Sequence, residues 1–312
     1  MKKNNFKFDI CVCGHVFKDI IYILDEYPKE STNKHYDADV IIKFGGILNT
    51  IRGLRFLNKK IKIKATSIVG NDEDGKLIIN ELNNLKINNK EIKKNNITNN
   101  SLNIINKKKN TKTFIVRFLS KKPEKSFNIS DSKWVHFMYL DNKEFLDQFG
   151  SLVINKKPGQ FFSADISNRS ISNINLKKYL KKLDCLIFST KEIPSLFKSK
   201  KCKEFNNYSM SKLKGLSSLV KNIIVHNNKK SIAFIDGFFY ESKNFNKVYK
   251  NNYNITGAGD NYSSFIINQL ISKKMFSENS LSEAHKFSSD YCMGKLYWKY
   301  FIFTYNKIIN EY

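Results

Sequence analysis

Short apolar runs alternate with amphipathic stretches along most of the chain. The runs that predict buried strands are Phe8–Cys13, Ile61–Val69, Trp134–Met138, Phe161–Ala164, Cys185–Phe188 and Ile223–Val225. Helices are predicted where apolar residues recur at helical spacing, at about 47–57, 77–82, 177–183, 209–220, 258–271 and 280–297. This alternation favours an α/β fold, in which a mainly parallel central sheet is covered by helices on both faces.

Two regions carry strands that are more polar. Residues 20–24 form an apolar run, and a strand is predicted over 38–43, where the paired glycines that follow are expected to end it. Residues 86–112 are rich in Asn and Lys and predict loops with one half-exposed strand around 102–104, before another strand at 113–118. We interpret these regions as ordered structure and not as a disordered linker.

The composition is that of an ordinary globular protein. Hydrophobic residues make up 41% of the 312-residue chain, and no stretch approaches the roughly 18 uninterrupted apolar residues of a membrane span. The first residues are basic, but no long apolar region follows them, which argues against a signal peptide. We therefore expect a cytoplasmic location, no membrane partner, and cysteines that are reduced and buried.

The formal net charge of +26 comes almost entirely from lysine. Arginine, which nucleic-acid readers use for bidentate and stacking contacts, occurs only at Arg52, Arg55, Arg117 and Arg169. The lysines are spread along the chain, and the abundance of Lys, Asn and Ile indicates an A/T-rich coding bias. We therefore expect salt-sensitive attraction to polyanions but no specific nucleic-acid partner.

A small-residue loop opens the helix predicted at 258–271. Thr256-Gly257-Ala258-Gly259-Asp260 leads directly into the apolar part of that helix. Backbone N–H groups at the positive end of a helix bind anions, and glycines allow a close approach to the backbone. A carboxylate repels an anion there, but it is useful if Asp260 removes a proton from a hydroxyl that attacks a phosphoryl group. The competing interpretation is a capped helix with a tight turn.

Three further motifs occur earlier in the chain. Asp19 lies five residues after Gly14, at the end of the first strand, where a carboxylate can bind sugar hydroxyls. Gly45-Gly46 begins a helix with Asn49 in its first turn, and an amide that both donates and accepts suits a polyol. The third motif, at 69–75, is an acidic glycine turn into a helix. Singly, each is also typical of a turn or a helix cap.

The order of these motifs is more informative than any one of them. Strand-Gly-x4-Asp, Gly-Gly-x2-Asn, Val-Gly-x-Asp-x-x-Gly and a late Gly-Ala-Gly-Asp follow one another in a way that resembles the ribokinase family, the PfkB-type carbohydrate kinases, from about residue 8 to 298. Residues 164–169 are similar to the family's Asp-x-Asn-x-Arg region, with Ser167 in the Asn place. The resemblance implies a single ribokinase-like α/β domain over 1–312, with a small β lid built from about 19–43 and 99–118.

The resemblance also implies roles for individual residues. Asp260 would be the general base on the acceptor hydroxyl, and the anion hole for the transferring phosphoryl group would be formed by the N–H groups of Gly257, Ala258 and Gly259. The sugar would be held by Asp19, Gly45, Gly46 and Asn49. The lid would cover the sugar, exclude water and offer a face for a homodimer.

The nucleotide end departs most from the family pattern. The family's Asn-x-x-Glu, which organises magnesium and phosphates, matches Ser189 to Glu192, so Glu192 would contact Mg²⁺ through water. The family's Thr-x-Gly-x-x-Gly falls on 226–231, where the threonine and both glycines are absent. The residues expected to contact ATP are Ser189, His226 and Asn228.

Two interpretations stay open. One is an active ATP-dependent kinase for an alcohol group of a sugar or sugar derivative, with Lys229 or Lys230 helping to hold phosphates. The other is a catalytically impaired protein of kinase ancestry that binds sugar or nucleotide. Retention of Asp260 beside its loop favours the first. The acceptor stays open among ribose, fructose, sugar phosphates, sugar acids and nucleosides, and we prefer a free or modified sugar to a nucleoside. A second phosphate on the acceptor would need a basic cluster near the lid, and lysines are too numerous to identify one.

Overall fold

Two β-sheets organise the computed structural model, which describes residues 5–31, 37–109, 111–118, 127–138, 143–167, 176–243 and 256–296. Some residues of the sequence motifs lie outside these ranges, namely Asn168, Arg169, Asn254 and Ile255. The described ranges contain both sheets and the helices that cover the larger one.

The larger sheet has nine strands in the described ranges. They are β1 (Phe8–Cys13), β4 (Ile63–Gly70), β5 (Asn88–Asn95), β8 (Ser132–Met138), β9 (Phe161–Asp165), β10 (Cys185–Ser189), β11 (Asn222–His226), β12 (Ser231–Ile235) and β13 (Phe238–Glu241). Their spatial order is β13-β12-β11-β10-β9-β8-β1-β4-β5. All pairs from β5 to β11 are parallel, and β12 and β13 add antiparallel strands at one edge. The carboxyl ends of the parallel strands therefore share one edge of the sheet.

Helices cover both faces of this sheet, as predicted. The helices are α1 (Ile47–Leu57), α2 (Glu73–Asn84), α3 (Lys143–Ile154), α4 (Leu176–Tyr179), α5 (Ile193–Leu196), α6 (Asn207–Ser217), α7 (Ala258–Ile271) and α8 (Glu278–Cys292). Strand β1 shows how its alternating side chains serve two cores. Ile10 and Val12 pack in the cluster that contains residues of α1, α7 and α8, whereas Cys11 and Cys13 pack in the cluster that contains residues of α3 and α6.

A second, four-stranded sheet lies outside the main one. Its strands are β2 (Val16–Leu24), β3 (Asp39–Gly46), β6 (Asn100–Asn106) and β7 (Thr111–Arg117), in the order β3-β2-β6-β7. Strands β2 and β6 run parallel, and the other pairs are antiparallel. Ile21, Ile23 and Ile105 form a small core of its own.

Two local predictions were wrong. Gly45 and Gly46 do not end strand β3, because the ladder with β2 continues to the pair Val16–Gly46 before α1 begins at Ile47. The Asn- and Lys-rich region forms two full strands, β5 and β6, in different sheets. Strand β5 is an edge strand, and an edge position leaves polar side chains in contact with water. No helix in the described ranges combines the length and apolar character needed to cross a membrane.

Candidate active site

Asp260 lies in the first turn of α7, directly behind the glycine loop. Gly257 is the N-cap of this helix and has φ +94°, a left-handed conformation that glycine adopts at little cost. The side chain of Asp260 is buried at 7% exposure, whereas Ala258 and Gly259 are half-buried. A Cβ atom added to Gly259 would meet nothing within 4 Å, so the loop borders open space. The structure therefore places a buried carboxylate beside an accessible loop at a helix N-terminus.

Asn49 contacts this carboxylate directly. Its Nδ2 donates a 2.8 Å hydrogen bond to Asp260 Oδ2, and its Oδ1 accepts a 3.3 Å hydrogen bond from Arg52 Nη1. Thr50 Oγ1 donates to the Asp260 carbonyl oxygen at 3.4 Å. The first turn of α1 therefore holds the first turn of α7, and the amide predicted to bind sugar also orients the predicted base.

Asp19 lies on β2, where glycine makes room for it. A Cβ atom on Gly45 would stand 2.1 Å from Asp19 Oδ2, so any larger residue would displace this carboxylate. Gly46 is the N-cap of α1. Ser101 Oγ donates to Asp19 Oδ1 at 2.5 Å. Burial raises the pKa of Asp19, and the negative charge of Asp260 raises it further. Lys43, Ser101 and Arg52 act in the opposite direction and lower it.

Lys43 is a site residue that the sequence analysis did not select. Its Nζ donates to the Thr256 carbonyl oxygen and to Tyr291 Oη, each at 2.9 Å. Burial lowers the pKa of Lys43 to about 8, and the nearby Asp19 and Asp260 carboxylates act to raise it. The available signal was a single lysine after Val40–Ile42, two residues before the paired glycines.

Lys112 brings a second missed cation from strand β7. Burial lowers the pKa of Lys112 to about 8, Lys191 and Lys43 lower it further, and Asp260 and Cys292 raise it. Lys112 is therefore within electrostatic range of both the predicted base and the end of β10. Among 54 basic residues, the sequence offered no signal that separates this lysine from the others.

Ser189 and Glu192 form a capping box where β10 ends. The backbone N–H of Ser189 and its Oγ both donate to Glu192 Oε2, at 3.0 and 2.5 Å. Burial raises the pKa of Glu192, while these hydrogen bonds act to lower it. Ser189, which stands in the place of the family's asparagine, is thus bonded directly to Glu192. In the described part of the chain, no three His, Cys, Asp or Glu side chains are grouped so as to hold a metal ion.

His226 ends strand β11 and pairs in register with Ser189 on the neighbouring strand. Its ring stacks on Tyr262, with ring centroids 4.3 Å apart, and burial lowers the pKa of His226 to about 3. Tyr262 Oη donates to Ser231 Oγ at 2.7 Å. A neutral ring fixed on an aromatic neighbour is a packing element of this strand end, and its contact with ATP stays a prediction.

The turn after His226 closes on itself. Asn227 N donates to the Lys230 carbonyl oxygen at 2.9 Å, and Lys230 forms an ion pair with Glu241. Asn228 and Lys229 are exposed. Lys230 is thus engaged by a carboxylate, which leaves Asn228 and Lys229 as the accessible side chains of this turn.

The predicted sugar residues and the predicted base meet in one place. Asn49 bonds to Asp260, and a Cβ atom added to Gly45 or to Gly257 would meet the side chain of Asp19 or of Asn49, respectively. A family model described as pfkB family carbohydrate kinase matches residues 7–292. The chain belongs to this family. The match extends from the strand before β2 to the last described helix, so it includes every residue that the resemblance singled out.

Solved structures of sugar and nucleoside kinases share the fold over about nine-tenths of the chain. The Arabidopsis thaliana ribokinase complexed with ribose and ATP is 17% identical with a TM-score of 0.66, covering 90% of this chain and 91% of that one. The Methanocaldococcus jannaschii nucleoside kinase is 17% identical with a TM-score of 0.66, covering 91% of each. The Thermotoga maritima 2-dehydro-3-deoxygluconokinase is 13% identical with a TM-score of 0.69, covering 91% and 93%. No curated protein matches the sequence. These similarities confirm the ribokinase-like fold.

Proposed function

We propose that the protein is an active ATP-dependent kinase that phosphorylates an alcohol group of a sugar or sugar derivative. The observation that carries this proposal is the buried Asp260 carboxylate, held by Asn49 at 2.8 Å directly behind the half-buried glycine loop. Capping the helix would not by itself require this arrangement, because the side chain of Asp260 bonds to Asn49 on another helix.

In the proposed reaction, Asp260 accepts the proton of the acceptor hydroxyl as that oxygen attacks the γ-phosphorus of ATP. The new oxygen–phosphorus bond forms while the bond to the β–γ bridging oxygen breaks, and ADP leaves with that electron pair. The N–H groups of Gly257, Ala258 and Gly259 stabilise the charge on the transferring phosphoryl oxygens. Asn49 contributes by keeping Asp260 in one orientation, so that the carboxylate needs no rearrangement during the step.

The Glu192 carboxylate is of the kind that binds Mg²⁺ in proteins. Mg²⁺ is held mainly by phosphates and water with one or two carboxylates. Glu192 is half-buried with Oε2 bonded to Ser189. We propose that Glu192 contacts the ion through water. A bound ion would neutralise phosphate charge there. Contacts of Ser189, His226 and Asn228 with ATP belong to the same proposal.

The second sheet is proposed to be the lid over the sugar. It supplies Asp19, Lys43, Ser101 and Lys112 to the site, from four different strands. Such a lid excludes water, and a kinase benefits because water would otherwise accept the phosphoryl group. The Arabidopsis thaliana ribokinase, which has a similar fold, is described as complexed with ribose and ATP, which supports a sugar acceptor. The Methanocaldococcus jannaschii protein of similar fold is a nucleoside kinase, so the fold alone does not select the acceptor.

One observation favours the alternative of an impaired kinase. The strand end where the family pattern has a threonine carries the His226 ring stacked on Tyr262. The turn after it lacks the glycines of the family pattern and is closed by a backbone hydrogen bond from Asn227 to Lys230. If this end does not accept ATP, the protein would bind a sugar without turning it over. A cytoplasmic location and a role without nucleic acid also stay predictions.

A coupled assay of ADP release separates the two candidates. Purified protein is tested with Mg²⁺ and ATP against monosaccharides, sugar phosphates, sugar acids and nucleosides, and the phosphorylated product is identified by mass spectrometry. We expect turnover with at least one sugar and a loss of roughly 10²–10⁴-fold in kcat for Asp260→Asn. Turnover that survives this substitution would contradict the assigned base. Sugar binding by calorimetry without any turnover would establish the impaired kinase.

A further inference from the structure

The peptide group that joins Thr256 to Gly257 is held from its carbonyl side by two side chains. Lys43 Nζ and Tyr291 Oη each donate to the Thr256 carbonyl oxygen at 2.9 Å. Lys43 Nζ also donates to Tyr291 Oη at 2.9 Å, which closes a triangle of hydrogen bonds. Lys43 lies on β3 and Tyr291 on α8, so elements distant in sequence converge on this one oxygen.

The orientation of this peptide decides where the first predicted donor of the anion hole points. In a planar trans peptide the C=O and the next N–H point in opposite directions, and none of the described peptide bonds is cis. The direction of the Thr256 carbonyl therefore fixes the direction of the Gly257 N–H. Gly257 has φ +94° and no Cβ, so rotation of this peptide meets little intrinsic resistance. Its orientation has to be imposed by its surroundings.

Lys43 is suited to impose it. The side chain is 5% exposed, and a hydrogen bond from an ammonium is stronger than one from a neutral donor. The charged form of this side chain is favoured by Asp19, Cys292 and Asp260 and disfavoured by Arg52. A buried ammonium costs desolvation free energy that an apolar side chain would avoid. The charges of Asp19 and Asp260 offset part of this cost, and the hydrogen bonds of Lys43 to Thr256 and Tyr291 connect it to the glycine loop.

We infer that Lys43 is a positioning residue for the anion hole, which together with Tyr291 fixes the Thr256–Gly257 peptide so that the Gly257 N–H faces the transferring phosphoryl group. This inference rests on the proposed kinase function. Lys43 acts through the loop and so affects the transition state, in which negative charge moves onto the phosphoryl oxygens, more than the binding of the acceptor.

Four full-length variants test this role. Lys43→Met removes the ammonium at similar length, and Lys43→Arg retains a charged donor. Tyr291→Phe removes one oxygen and leaves the ring, which guards against a misfolded Lys43 variant. Lys64→Met is the matched control, because Lys64 is also a buried lysine, at 3% exposure, and pairs with Asp131 instead of the loop.

The kinetic result expected for Lys43→Met is a loss of roughly 10²-fold in kcat, with the acceptor KM changed less than about threefold. Lys43→Arg should recover at least about tenfold of that loss, and Tyr291→Phe should lose about tenfold. Lys64→Met should keep the kcat of the unmodified protein. Equal kcat in Lys43→Met and Lys64→Met would overturn the inference, as would a loss confined to KM.

Amide hydrogen exchange supplies a readout that needs no turnover. Exchange of the segment 256–262, followed by mass spectrometry, should be several-fold faster in Lys43→Met and Tyr291→Phe than in Lys64→Met. Unchanged exchange overturns the inference whatever the kinetics show. If the unmodified protein phosphorylates no acceptor, the proposed function fails, and exchange alone decides whether Lys43 holds the loop.

Discussion

The guanidinium of Arg52 forms a two-point ion pair with Glu81, with Nε–Oε1 and Nη2–Oε2 distances of 2.5 and 2.7 Å. Arg52 is 4% exposed and lies on α1, whereas Glu81 lies on α2. The same guanidinium donates to Asn49 Oδ1 and to the Phe44 carbonyl oxygen. Asn49 in turn binds Asp260. A structural ion pair therefore supports the orientation of the proposed base through one intervening amide.

Replacement of Arg52 by methionine should affect stability and activity together. The variant removes the partner of Glu81, which is 26% exposed, and loss of one member of such a partly buried pair costs about 2 kcal/mol of unfolding free energy. Asn49 Oδ1 also loses the hydrogen bond that it accepts from Arg52, so the amide orients Asp260 less firmly. We therefore expect kcat to fall between roughly tenfold and a hundredfold. Urea denaturation and steady-state kinetics measure the two effects. Arg55→Met, which removes backbone contacts farther along α1, is the control, and equal kcat values in the two variants would contradict this role of Arg52.

Asn49→Asp tests whether the amide and Asp260 are as close in solution. The substitution places two carboxylates about one hydrogen bond apart, so the pair shares a proton and one of its pKa values rises strongly. A base must be deprotonated to act, and so the acidic limb of the kcat/KM profile should move at least about one pH unit higher. Asn49→Ala should lower the rate without that displacement. Profiles of the same shape for both variants would show that residue 49 does not contact the base.

The pKa values of Lys43 and Lys112 predict opposite trends for stability and activity above pH 8. Both are lowered from 10.5 to about 8 in the folded protein. The unfolded chain therefore binds more protons between pH 8 and 10.5, and these two groups make the unfolding free energy rise with pH in that window. Activity that depends on the ammonium form falls over the same range. Asp19, Arg52, Asp260 and Cys292 face Lys43, and the fall should persist when only Lys112 is replaced.

Denaturation curves and kcat values between pH 7 and 10 measure both trends. Lys43→Met and Lys112→Met should each reduce the pH dependence of stability relative to the unmodified protein. The double variant should lose the alkaline limb of activity altogether. An alkaline limb that survives in the double variant would assign it to another group.

Glu192→Gln tests the proposed magnesium contact. The neutral amide attracts the hydrated ion less, so the Mg²⁺ concentration for half-maximal rate should rise about tenfold. Glu283→Gln, a change on the exposed side of α8, should leave this concentration unchanged. The measurement is a Mg²⁺ titration at saturating ATP. Identical titrations for the two variants would remove Glu192 from the metal site.

Contacts within one strand–loop–helix segment were predictable, and contacts between distant segments were not. The capped helix behind Gly257 and the glycines before α1 follow from local chemistry, so the sequence was sufficient for them. Lys43 binds an oxygen 213 positions away, and its neighbours in the chain contain no information about that partner. Likewise, polar edge strand β5 resembles a loop in composition because its position at the sheet edge, which the fold creates, removes the need for apolar residues.

The outer face of the second sheet predicts a homodimer. Tyr22 pairs with Val40 across β2 and β3, and they are 38% and 50% exposed. Ile115, 56% exposed, pairs with Leu102, which in turn pairs with Ile20 on β2. Directly paired residues share a face of a sheet, so these apolar side chains form one exposed surface. Packing of a second copy of the chain against this surface would remove it from water.

Ile115→Lys should therefore convert the predicted dimer to a monomer, because each of the two copies would bring a new lysine charge into the interface. Light scattering after size-exclusion chromatography measures the mass across a concentration series. Ile154→Lys is the matched control, since Ile154 is 63% exposed at the end of α3, a helix that packs on the larger sheet. The monomer should keep its kcat within about threefold if each lid closes only over its own site. A monomeric unmodified protein would contradict the dimer, and would assign the apolar face to a role within one chain.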